Sequence, residues 1–327
     1  MTRIAINGFG RIGRTVLRQL LTTRKDTGLE VALINDIAKV DLCAYLFAHD
    51  SVFGVFPEAV TASDDAIQIG DMRIAFTNDP DLSQTDLSGV DLILECAGHA
   101  KTREVAERGL TAGAKQVLIS GPSDAADVTV VMGANDDSMG DARIVSNASC
   151  TTNALAPLVR LLDDTFGLEA AHMTTIHCYT SSQPMIDAPR GDMARSRAGA
   201  MSMVPTTTSA TERVLDVLPH LKGRLTGAAV RVPTASVSAV DLTAALKTDV
   251  TKEGLNKALA NSDRSLIGTT DLPLVSTDLR SRPESLIVAT RETIVTTPRH
   301  VRIFGWYDNE WGFSSRMIDM ALRMTAR

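Results

Sequence analysis

The 327-residue chain contains 33 lysines and arginines against 39 aspartates and glutamates, which gives a formal net charge of −6 at pH 7. This balance argues against nucleic acid as the main partner, because proteins that bind nucleic acid concentrate positive charge. No apolar run approaches the roughly 20 residues of a membrane span, and the first three residues lead into a predicted strand without a signal peptide. We therefore expect a cytoplasmic protein that has no membrane partner and is long enough for two domains.

The first predicted elements are a strand, a tight turn and a helix. Residues 3–6 are apolar, and Gly8, Gly10 and Gly13 follow as Gly-x-Gly-x-x-Gly at the start of a helix with one apolar face. In this context the first glycine allows the turn, the second lets backbone approach a pyrophosphate, and the third lets helix and strand pack closely. The helix N-terminus would then face the phosphates of a bound dinucleotide.

A second predicted strand covers residues 30–35 and ends at Asp36, about twenty residues after the last glycine. A carboxylate at this position would accept hydrogen bonds from the adenosine ribose and would repel a 2′-phosphate, which favours NAD over NADP. Lys39 lies close by in the sequence, so some use of NADP stays open.

The rest of the first half alternates short apolar strands with helices or turns. The predicted strands cover residues 67–69, 73–76, 91–95, 116–119, 128–131 and 144–145, and a helix lies near 101–111. This alternation predicts an α/β domain with a Rossmann-type, doubly wound parallel sheet. Because ligands bind at the strand ends of such sheets, Ser120 is a candidate contact on the nicotinamide side, although an ordinary turn fits the sequence equally well.

Residues 146–153 combine one cysteine with four hydroxyl and two amide side chains, and an apolar run typical of a helix follows. A helix start offers unpaired N–H groups and partial positive charge, so we expect the thiolate of Cys150 to be favoured and the residue to be a nucleophile. Cys43 and Cys96 lie in apolar stretches and are interpreted as small core residues. The spacing of the four cysteines fits neither a zinc site nor a disulfide framework, so no metal is expected.

The segment over residues 173–180 alternates like a half-buried strand and contains His177. The period of two places His177 and Cys178 on opposite faces, so the adjacent pair cannot act together. His177 is therefore either a buried structural histidine or the base for another thiol, and the nearby helix-start cysteine makes the catalytic interpretation the better one.

The second half has a different pattern from the first. A long irregular stretch over residues 181–203 indicates a functional loop or an interface. Its Arg195 and Arg197 are candidate anion ligands, although solvated surface arginines are the more common case. Predicted strands at 224–232, 237–247 and 301–307 are grouped rather than alternating with helices, and helices are predicted at 252–260 and at the C-terminus. We expect a second, α+β domain with a mixed or antiparallel sheet, and a domain junction at Ser149.

With these residues in view, the chain resembles the phosphorylating glyceraldehyde-3-phosphate dehydrogenase family from Arg3 to Met324. The most specific marks of the resemblance are residues 7–14, 146–153, 231–234 and 306–314. The resemblance implies a homotetramer that uses NAD, a phosphorylated aldehyde and inorganic phosphate. It implies an NAD-binding domain over residues 1–149, onto which a C-terminal helix of about 312–327 packs, and a catalytic domain over 150–311.

The resemblance also implies individual roles. Cys150 matches the nucleophile and His177 its partner. The residues that correspond to cofactor contacts are Asn7, Gly8, Gly10, Arg11, Ile12, Gly13, Asp36, Ser120 and Asn309, of which Asn309 would hold the nicotinamide amide. The residues that correspond to ligands of the substrate phosphate and inorganic phosphate, together with the candidate Arg195, are Ser149, Thr151, Thr180, Thr208, Ser209 and Arg231.

Departures from the family pattern cluster around the anion sites. Ser182 replaces a usual aspartate, Ser209 a usual glycine, and Glu212 lies in a segment that usually carries small residues and a lysine. The expected reaction is NAD-dependent oxidative phosphorylation of glyceraldehyde 3-phosphate through a cysteine hemithioacetal and thioester. Two alternatives stay open: the same chemistry on erythrose 4-phosphate with hydrolysis of the thioester, and a non-catalytic protein that senses NAD or thiol oxidation.

Overall fold

Two large β-sheets organise the chain, one in each of two units. The computed structural model describes residues 1–326. The first unit comprises Met1–Val130, Asp137–Ala148 and the chain from Ser314 onward, and the second comprises Val131–Asp136 and Ser149–Phe313. Every helix within residues 1–326 is too short or too polar to cross a lipid bilayer.

The first unit contains a nine-stranded sheet with helices on its faces. Its elements are β1 (Thr2–Asn7), α1 (Arg11–Leu21), β2 (Leu29–Asn35), α2 (Val40–Ala48), β3 (His49–Asp50), β4 (Gly54–Val55), β5 (Val60–Ser63), β6 (Ala66–Ile69), β7 (Met72–Thr77), β8 (Leu92–Glu95), α3 (Arg103–Thr111), β9 (Gln116–Ile119), β10 (Val128–Thr129) and β11 (Ile144–Ser146). The sheet order is β10-β11-β9-β8-β1-β2-β7-β6-β5. All neighbours from β10 to β7 are parallel, and the two pairs that follow are antiparallel.

This sheet confirms the predicted Rossmann-type, doubly wound fold. The central strands are buried on both faces, as Ile4, Ala5 and Ile6 in β1 illustrate, which explains why they appear in the sequence as continuous apolar runs. The short elements α2, β3, β4 and β5 were not predicted, because their apolar residues do not follow a regular period and several are exposed.

The second unit contains an eight-stranded mixed sheet. Its elements are α4 (Cys150–Phe166), β12 (Leu168–Cys178), β13 (Val204–Thr206), α5 (Ala210–Val217), β14 (Leu225–Val232), β15 (Ser238–Leu246), α6 (Lys252–Ala260), β16 (Ile267–Thr270), β17 (Leu286–Ala289), β18 (Ile294–Thr297) and β19 (His300–Tyr307). The order is β13-β14-β12-β15-β19-β17-β16, and β18 pairs with β19. Parallel pairs (β12 with β14, β16 with β17) lie among antiparallel ones, which confirms the predicted mixed sheet.

The register of this sheet brings two predicted site residues together. His177 in β12 is the direct neighbour of Arg231 in β14. The strand β12 begins five residues earlier than the sequence indicates, because a register shift between Leu168 and Ala170 interrupts its alternation. The last helix, α7 (Trp311–Thr325), begins in the second unit and continues in the first.

The turn between β1 and α1 depends on a glycine that has no room for a side chain. Gly8 has a φ of +89°, and a Cβ atom there would lie 2.4 Å from the backbone nitrogen of Ala97. Gly98 also has a positive φ of +75°, but a Cβ atom there would meet nothing within 4 Å. The two glycines therefore separate the cost of backbone conformation from the cost of overlap.

We expect Gly8→Ala to lower the free energy of unfolding by about 1–3 kcal/mol more than Gly98→Ala, because only the first substitution adds overlap with backbone to the strain of a positive φ. Urea unfolding followed by circular dichroism measures both losses. Equal losses for the two variants would contradict the close approach at Gly8.

Candidate active site

Cys150 is the first residue of α4, in a turn that its neighbours hold firmly. Ser149 caps the helix, because its Oγ accepts a hydrogen bond of 3.0 Å from the backbone N–H of Thr152. Ala148 adopts a positive φ of 53°, which is uncommon for a residue with a Cβ atom. The capped helix start fixes the position of the Cys150 side chain, as its sequence setting predicts.

The thiol faces the imidazole of His177. The Sγ atom of Cys150 lies 3.6 Å from Nε2 of His177, whose side chain is buried at the end of β12. On the other side of the ring, Nδ1 lies 2.7 Å from the carbonyl oxygen of Cys178 and 2.7 Å from Nη1 of Arg231. The same Nη1 donates a 2.9 Å hydrogen bond to the Cys178 carbonyl. Three predicted site residues thus form one contiguous group.

Burial opposes charge on both partners of this pair. It raises the pKa of the Cys150 thiol, and hydrogen bonds from Thr151 and the positive charge of Arg231 only partly offset this effect. Burial, with the Arg231 charge as a second cause, lowers the pKa of His177 to about 4. The expectation that the helix start alone favours the Cys150 thiolate is therefore wrong, because burial outweighs it. A proton that moves from Sγ to Nε2 instead leaves two opposite charges in contact.

A chain of hydrogen-bonded hydroxyl groups ends at Thr151, whose side chain contacts the Cys150 thiol. Thr151 Oγ1 lies 2.8 Å from the Tyr307 hydroxyl, which lies 2.9 Å from Thr175 Oγ1. Burial raises the pKa of Tyr307, so its hydroxyl stays protonated and can donate to Thr151. Thr151 is then free to donate its own proton to the Cys150 sulfur. The buried position of Thr151 suits this role, in addition to the predicted one of binding phosphate.

Asn309 is held in a single amide orientation. Its Oδ1 accepts from the Cys178 thiol at 3.1 Å and from Ser238 Oγ at 3.5 Å, and that same Oγ accepts from the Cys178 backbone N–H at 3.1 Å. With the oxygen fixed inward by two donors, the NH₂ group is the end of the amide that remains to bind a ligand. Cys178 thus orients a predicted cofactor contact, a role that its sequence position did not suggest.

Arg195 and Thr180, two of the predicted anion ligands, lie in the loop between β12 and β13. Arg195 donates 2.6 Å from Nε to Thr206 Oγ1 and also binds the Thr207 hydroxyl, and Thr206 lies on the strand that pairs with β14. Thr180 Oγ1 lies 2.9 Å from Ser182 Oγ, one of the departures from the family pattern. These groups bond to their neighbours and make no direct contact with the Cys150–His177 pair in the described chain.

Two further predicted anion ligands stand at the start of α5. Thr208 Oγ1 accepts a 3.1 Å hydrogen bond from the backbone N–H of Ala210, which begins the helix. Ser209 is exposed at the N-cap position and makes no cap hydrogen bond through its side chain. Its hydroxyl and the helix N-terminus are therefore both available to an anion.

The first unit fits a dinucleotide at the glycine turn. A cavity of 410 Å³ is lined by Asn7, Gly8, Gly10 and Asp36 among others, and a Cβ atom on Gly10 would meet nothing within 4 Å. The Asp36 carboxylate accepts from the Phe9 N–H at 2.6 Å and thereby ties the turn to the end of β2. The open space over Gly10 and the carboxylate beside it are what a pyrophosphate and an adenosine ribose require.

The other predicted cofactor residues surround this turn. Gly13 packs so tightly that a Cβ atom would lie 2.3 Å from the Gly8 carbonyl oxygen. Arg11 and Ile12, both half-buried, open α1, and Arg11 forms a 2.5 Å ion pair with Asp50. Ser120 is half-buried directly after β9, and its side chain contacts the Cys96 thiol.

Sequence reasoning missed several residues that position the site. Cys96 lines the cavity of the first unit and is only half-buried, so its interpretation as a core residue was wrong. Glu95 is a second missed residue: its buried carboxylate accepts a 2.5 Å hydrogen bond from the Asn7 side chain. Its position at the end of β8 could have indicated this role. Tyr307 and Ser238 carried no local signal beyond strand alternation, because their partners lie on other elements of the chain.

Comparison with known proteins agrees with this arrangement. Residues 2–103 match the description "Glyceraldehyde 3-phosphate dehydrogenase, NAD binding domain", and residues 149–309 match "Glyceraldehyde 3-phosphate dehydrogenase, C-terminal domain". The chain is 46% identical over 330 residues to the glyceraldehyde-3-phosphate dehydrogenase of Xanthobacter flavus, with 98% of each chain covered. It is 46% identical over 327 residues to that of Cereibacter sphaeroides, and 40% identical over 333 residues to glyceraldehyde-3-phosphate dehydrogenase 2 of Bacillus subtilis.

The fold, the thiol–imidazole pair and these matches define an NAD-dependent phosphorylating oxidoreductase. The chain belongs to the glyceraldehyde-3-phosphate dehydrogenase family, which confirms the resemblance drawn from its sequence motifs.

We expect His177→Asn to raise the pKa of Cys150 by about one unit or more, because the thiolate loses the imidazole that stabilises its charge. The pH dependence of Cys150 alkylation by iodoacetamide, read on the Cys150 peptide by mass spectrometry, gives the midpoint. His172→Asn is the matched control: His172 lies on the same strand but is exposed and bonds Thr226 at 2.9 Å. An unchanged midpoint in His177→Asn would break the proposed pair.

Proposed function

We propose that this protein catalyses NAD-dependent oxidative phosphorylation of glyceraldehyde 3-phosphate to 1,3-bisphosphoglycerate, the reaction of glycolysis and gluconeogenesis. The observation that carries the proposal is the contact of 3.6 Å between Cys150 Sγ and His177 Nε2, with Arg231 on the opposite side of the ring. The printed names of the relatives support the choice of substrate. The first domain would bind NAD and comprise residues 1–149, with the C-terminal helix of about 312–327 packed onto it. The second would be the catalytic domain over residues 150–311.

The first chemical step would form a bond between Cys150 and the aldehyde. The thiol proton moves to His177 Nε2, and the thiolate attacks the carbonyl carbon. The carbonyl electron pair moves to oxygen, which takes the proton back from His177, and a neutral hemithioacetal results. The backbone N–H of Cys150, at the open N-terminus of α4, and the His177 N–H are the donors available to the developing oxyanion.

The second step would oxidise the hemithioacetal. When bound, NAD would supply the hydride acceptor, and the Asn309 NH₂ group would hold its carboxamide. His177 Nε2 removes the hydroxyl proton while the carbon gives up its hydride, and a thioester on Cys150 remains. The low pKa of His177 keeps the free imidazole neutral at physiological pH, as a base must be at the start of this step.

Release of the product would require a second anion. Inorganic phosphate attacks the thioester carbonyl, the bond to Cys150 breaks, and an acyl phosphate leaves. The two phosphate groups would be bound by hydroxyl, guanidinium and backbone donors that lie on neighbouring turns and strands of one unit: Ser149, Thr151, Thr180, Arg195, Thr208, Ser209 and Arg231.

We also propose that the protein works as a homotetramer in the cytoplasm. The loop between β12 and β13 exposes Met185, Ile186, Met193, Met201 and Met203, an unusual number of large apolar side chains for a surface that stays in water. A partner copy that covers them would account for this exposure. A solution mass of a single chain by light scattering, or activity confined to membrane or secreted fractions, would contradict these assignments.

Steady-state kinetics test the reaction directly. With glyceraldehyde 3-phosphate and NAD, omission of inorganic phosphate should lower the steady rate of NADH formation by at least about a hundredfold but leave a single burst, because the thioester forms and then waits. Faster turnover of erythrose 4-phosphate without phosphate would favour the alternative substrate, which the departures at Ser182, Ser209 and Glu212 suggest.

Cys150→Ser is the matched test of the nucleophile. Turnover should fall by at least about a thousandfold, because a hydroxyl is a far weaker nucleophile than a thiol at neutral pH, while the dissociation constant for NAD in calorimetry should stay within about twofold. Full loss of NAD binding in this variant would contradict the assignment of the cofactor to the first unit.

Ser238→Ala tests the orientation of Asn309. Removal of its hydroxyl leaves the buried Cys178 N–H unpaired and frees the Asn309 amide to rotate, so KM for NAD should rise about tenfold with a smaller effect on KM for the aldehyde. The control is Ser236→Ala, since the buried Ser236 hydroxyl has no hydrogen-bond partner within residues 1–326. Equal behaviour of the two variants would show that the amide is oriented by other means.

A further inference from the structure

The Nδ1 atom of His177 has two partners that a neutral imidazole cannot satisfy together. The Cys178 carbonyl oxygen and Arg231 Nη1 each lie 2.7 Å from it. A carbonyl oxygen only accepts, so the first contact needs a proton on Nδ1. A guanidinium only donates, so the second contact needs a lone pair there. The two contacts therefore belong to two different tautomers.

Each tautomer fixes what the opposite nitrogen offers to Cys150. When Nδ1 carries the proton and donates it to the Cys178 carbonyl, Nε2 has a lone pair and can accept a proton from the 3.6 Å-distant sulfur or from substrate. When Arg231 donates to Nδ1, Nε2 carries the proton and can no longer act as a base. The position of one guanidinium hydrogen thus decides whether the base is available.

Arg231 has a second edge that the protein does not use. Its Nη1 bonds the Cys178 carbonyl and faces His177, but its Nε is buried and has no hydrogen-bond partner within residues 1–326. Buried donors are nearly always paired, so an unpaired one indicates an acceptor that comes from outside the chain. The Nε and Nη2 hydrogens of a guanidinium form a fork that matches two oxygens of a phosphate group.

We propose that an anion bound on the Nε–Nη2 edge of Arg231 draws the guanidinium away from Nδ1 and so selects the tautomer in which His177 Nε2 is the base. The substrate's own phosphate group would be this anion, so the inference rests on the proposed function. The switch makes the base available only when a phosphorylated substrate is in place. Arg231 is then a positioning residue for His177 as well as an anion ligand.

The electrostatics of the pocket act in the same direction. The titratable groups that face the imidazole are Cys150 from α4, Arg231 from β14 and Tyr307 from β19, whereas its own strand contributes the Cys178 backbone carbonyl. Of these, Arg231 is the permanent charge, and it disfavours a second positive charge on the ring. An anion on the Nε–Nη2 edge of Arg231 offsets that positive charge. The imidazolium that results when Nε2 takes the hemithioacetal proton is then less strongly disfavoured.

The test is a pH titration of His177 by nuclear magnetic resonance in the full-length protein with ¹⁵N-labelled histidine, with and without inorganic phosphate at equal ionic strength. The His177 signals are assigned by their absence from His177→Asn. Without phosphate, the neutral ring should carry its proton on Nε2. With phosphate, the proton should move to Nδ1 and the titration midpoint should rise by about one pH unit or more.

Two arginine variants locate the effect. Arg231→Gln should abolish both responses to phosphate. If that variant does not fold, Arg231→Lys replaces it, because lysine lacks the two-donor fork of arginine. Arg224→Gln should respond as the wild type does, because Arg224 precedes the same strand but donates to the Leu168 carbonyl. An unresponsive wild type, or an unchanged response in Arg231→Gln, would overturn the proposal.

Assays with glyceraldehyde 3-phosphate on the same samples separate this proposal from the proposed function. Normal turnover with an unresponsive His177 would overturn the tautomer switch alone. A responsive His177 in a protein that does not oxidise the aldehyde would overturn the proposed function and would retain the anion effect on the imidazole.

Discussion

The structure depends on keeping a thiol and an imidazole in contact where water is largely excluded. The two groups lie 3.6 Å apart, and burial penalises charge on both Cys150 and His177. Burial by itself therefore favours the neutral thiol and the neutral imidazole. Neighbouring groups oppose this effect or hold the pair in place: hydrogen-bond donors to the sulfur, the Cys178 carbonyl and the Arg231 guanidinium on the far side of the ring, and a capped helix start. These groups come from α4, β12 and β14, that is, from one mixed sheet and the helix that precedes it, so the sheet register is what makes the chemistry possible.

Much of this arrangement was readable from sequence, because it rests on local patterns. The glycine turn, the acid after β2, the helix-start setting of Cys150 and the alternation around His177 each lie within a few residues of chain. The direction of the Cys150 pKa shift was not readable, since it is set by how deeply the assembled unit encloses the sulfur. Tyr307 was missed for the same reason: its partner Thr151 lies 156 residues away.

The fold shows the same division between local and distant information. Strands buried on both faces of the first sheet were found as apolar runs, whereas β16, β17 and β18 have four residues each and gain their identity only from pairing. The helix α5 follows a run of hydroxyl residues that reads as loop, and only the burial of Val214 and Val217 against the sheet side reveals its apolar face. Short elements carry too few residues for a period to be recognised.

The division of the chain into units has a consequence for how the protein is made. The chain passes from one unit to the other four times, after Val130, Asp136, Ala148 and Phe313. Within the first unit, Ser315 in α7 donates 2.8 Å to Gln19 in α1, and Asp319 pairs with Arg24 at 2.5 Å. A ribosome must therefore complete nearly the whole polypeptide before the nucleotide-binding half receives its last helix. The half that contains Cys150 and His177 is synthesised in full while the first half still lacks that helix. Gene fusion or fragment exchange at a single boundary would sever one half from part of itself.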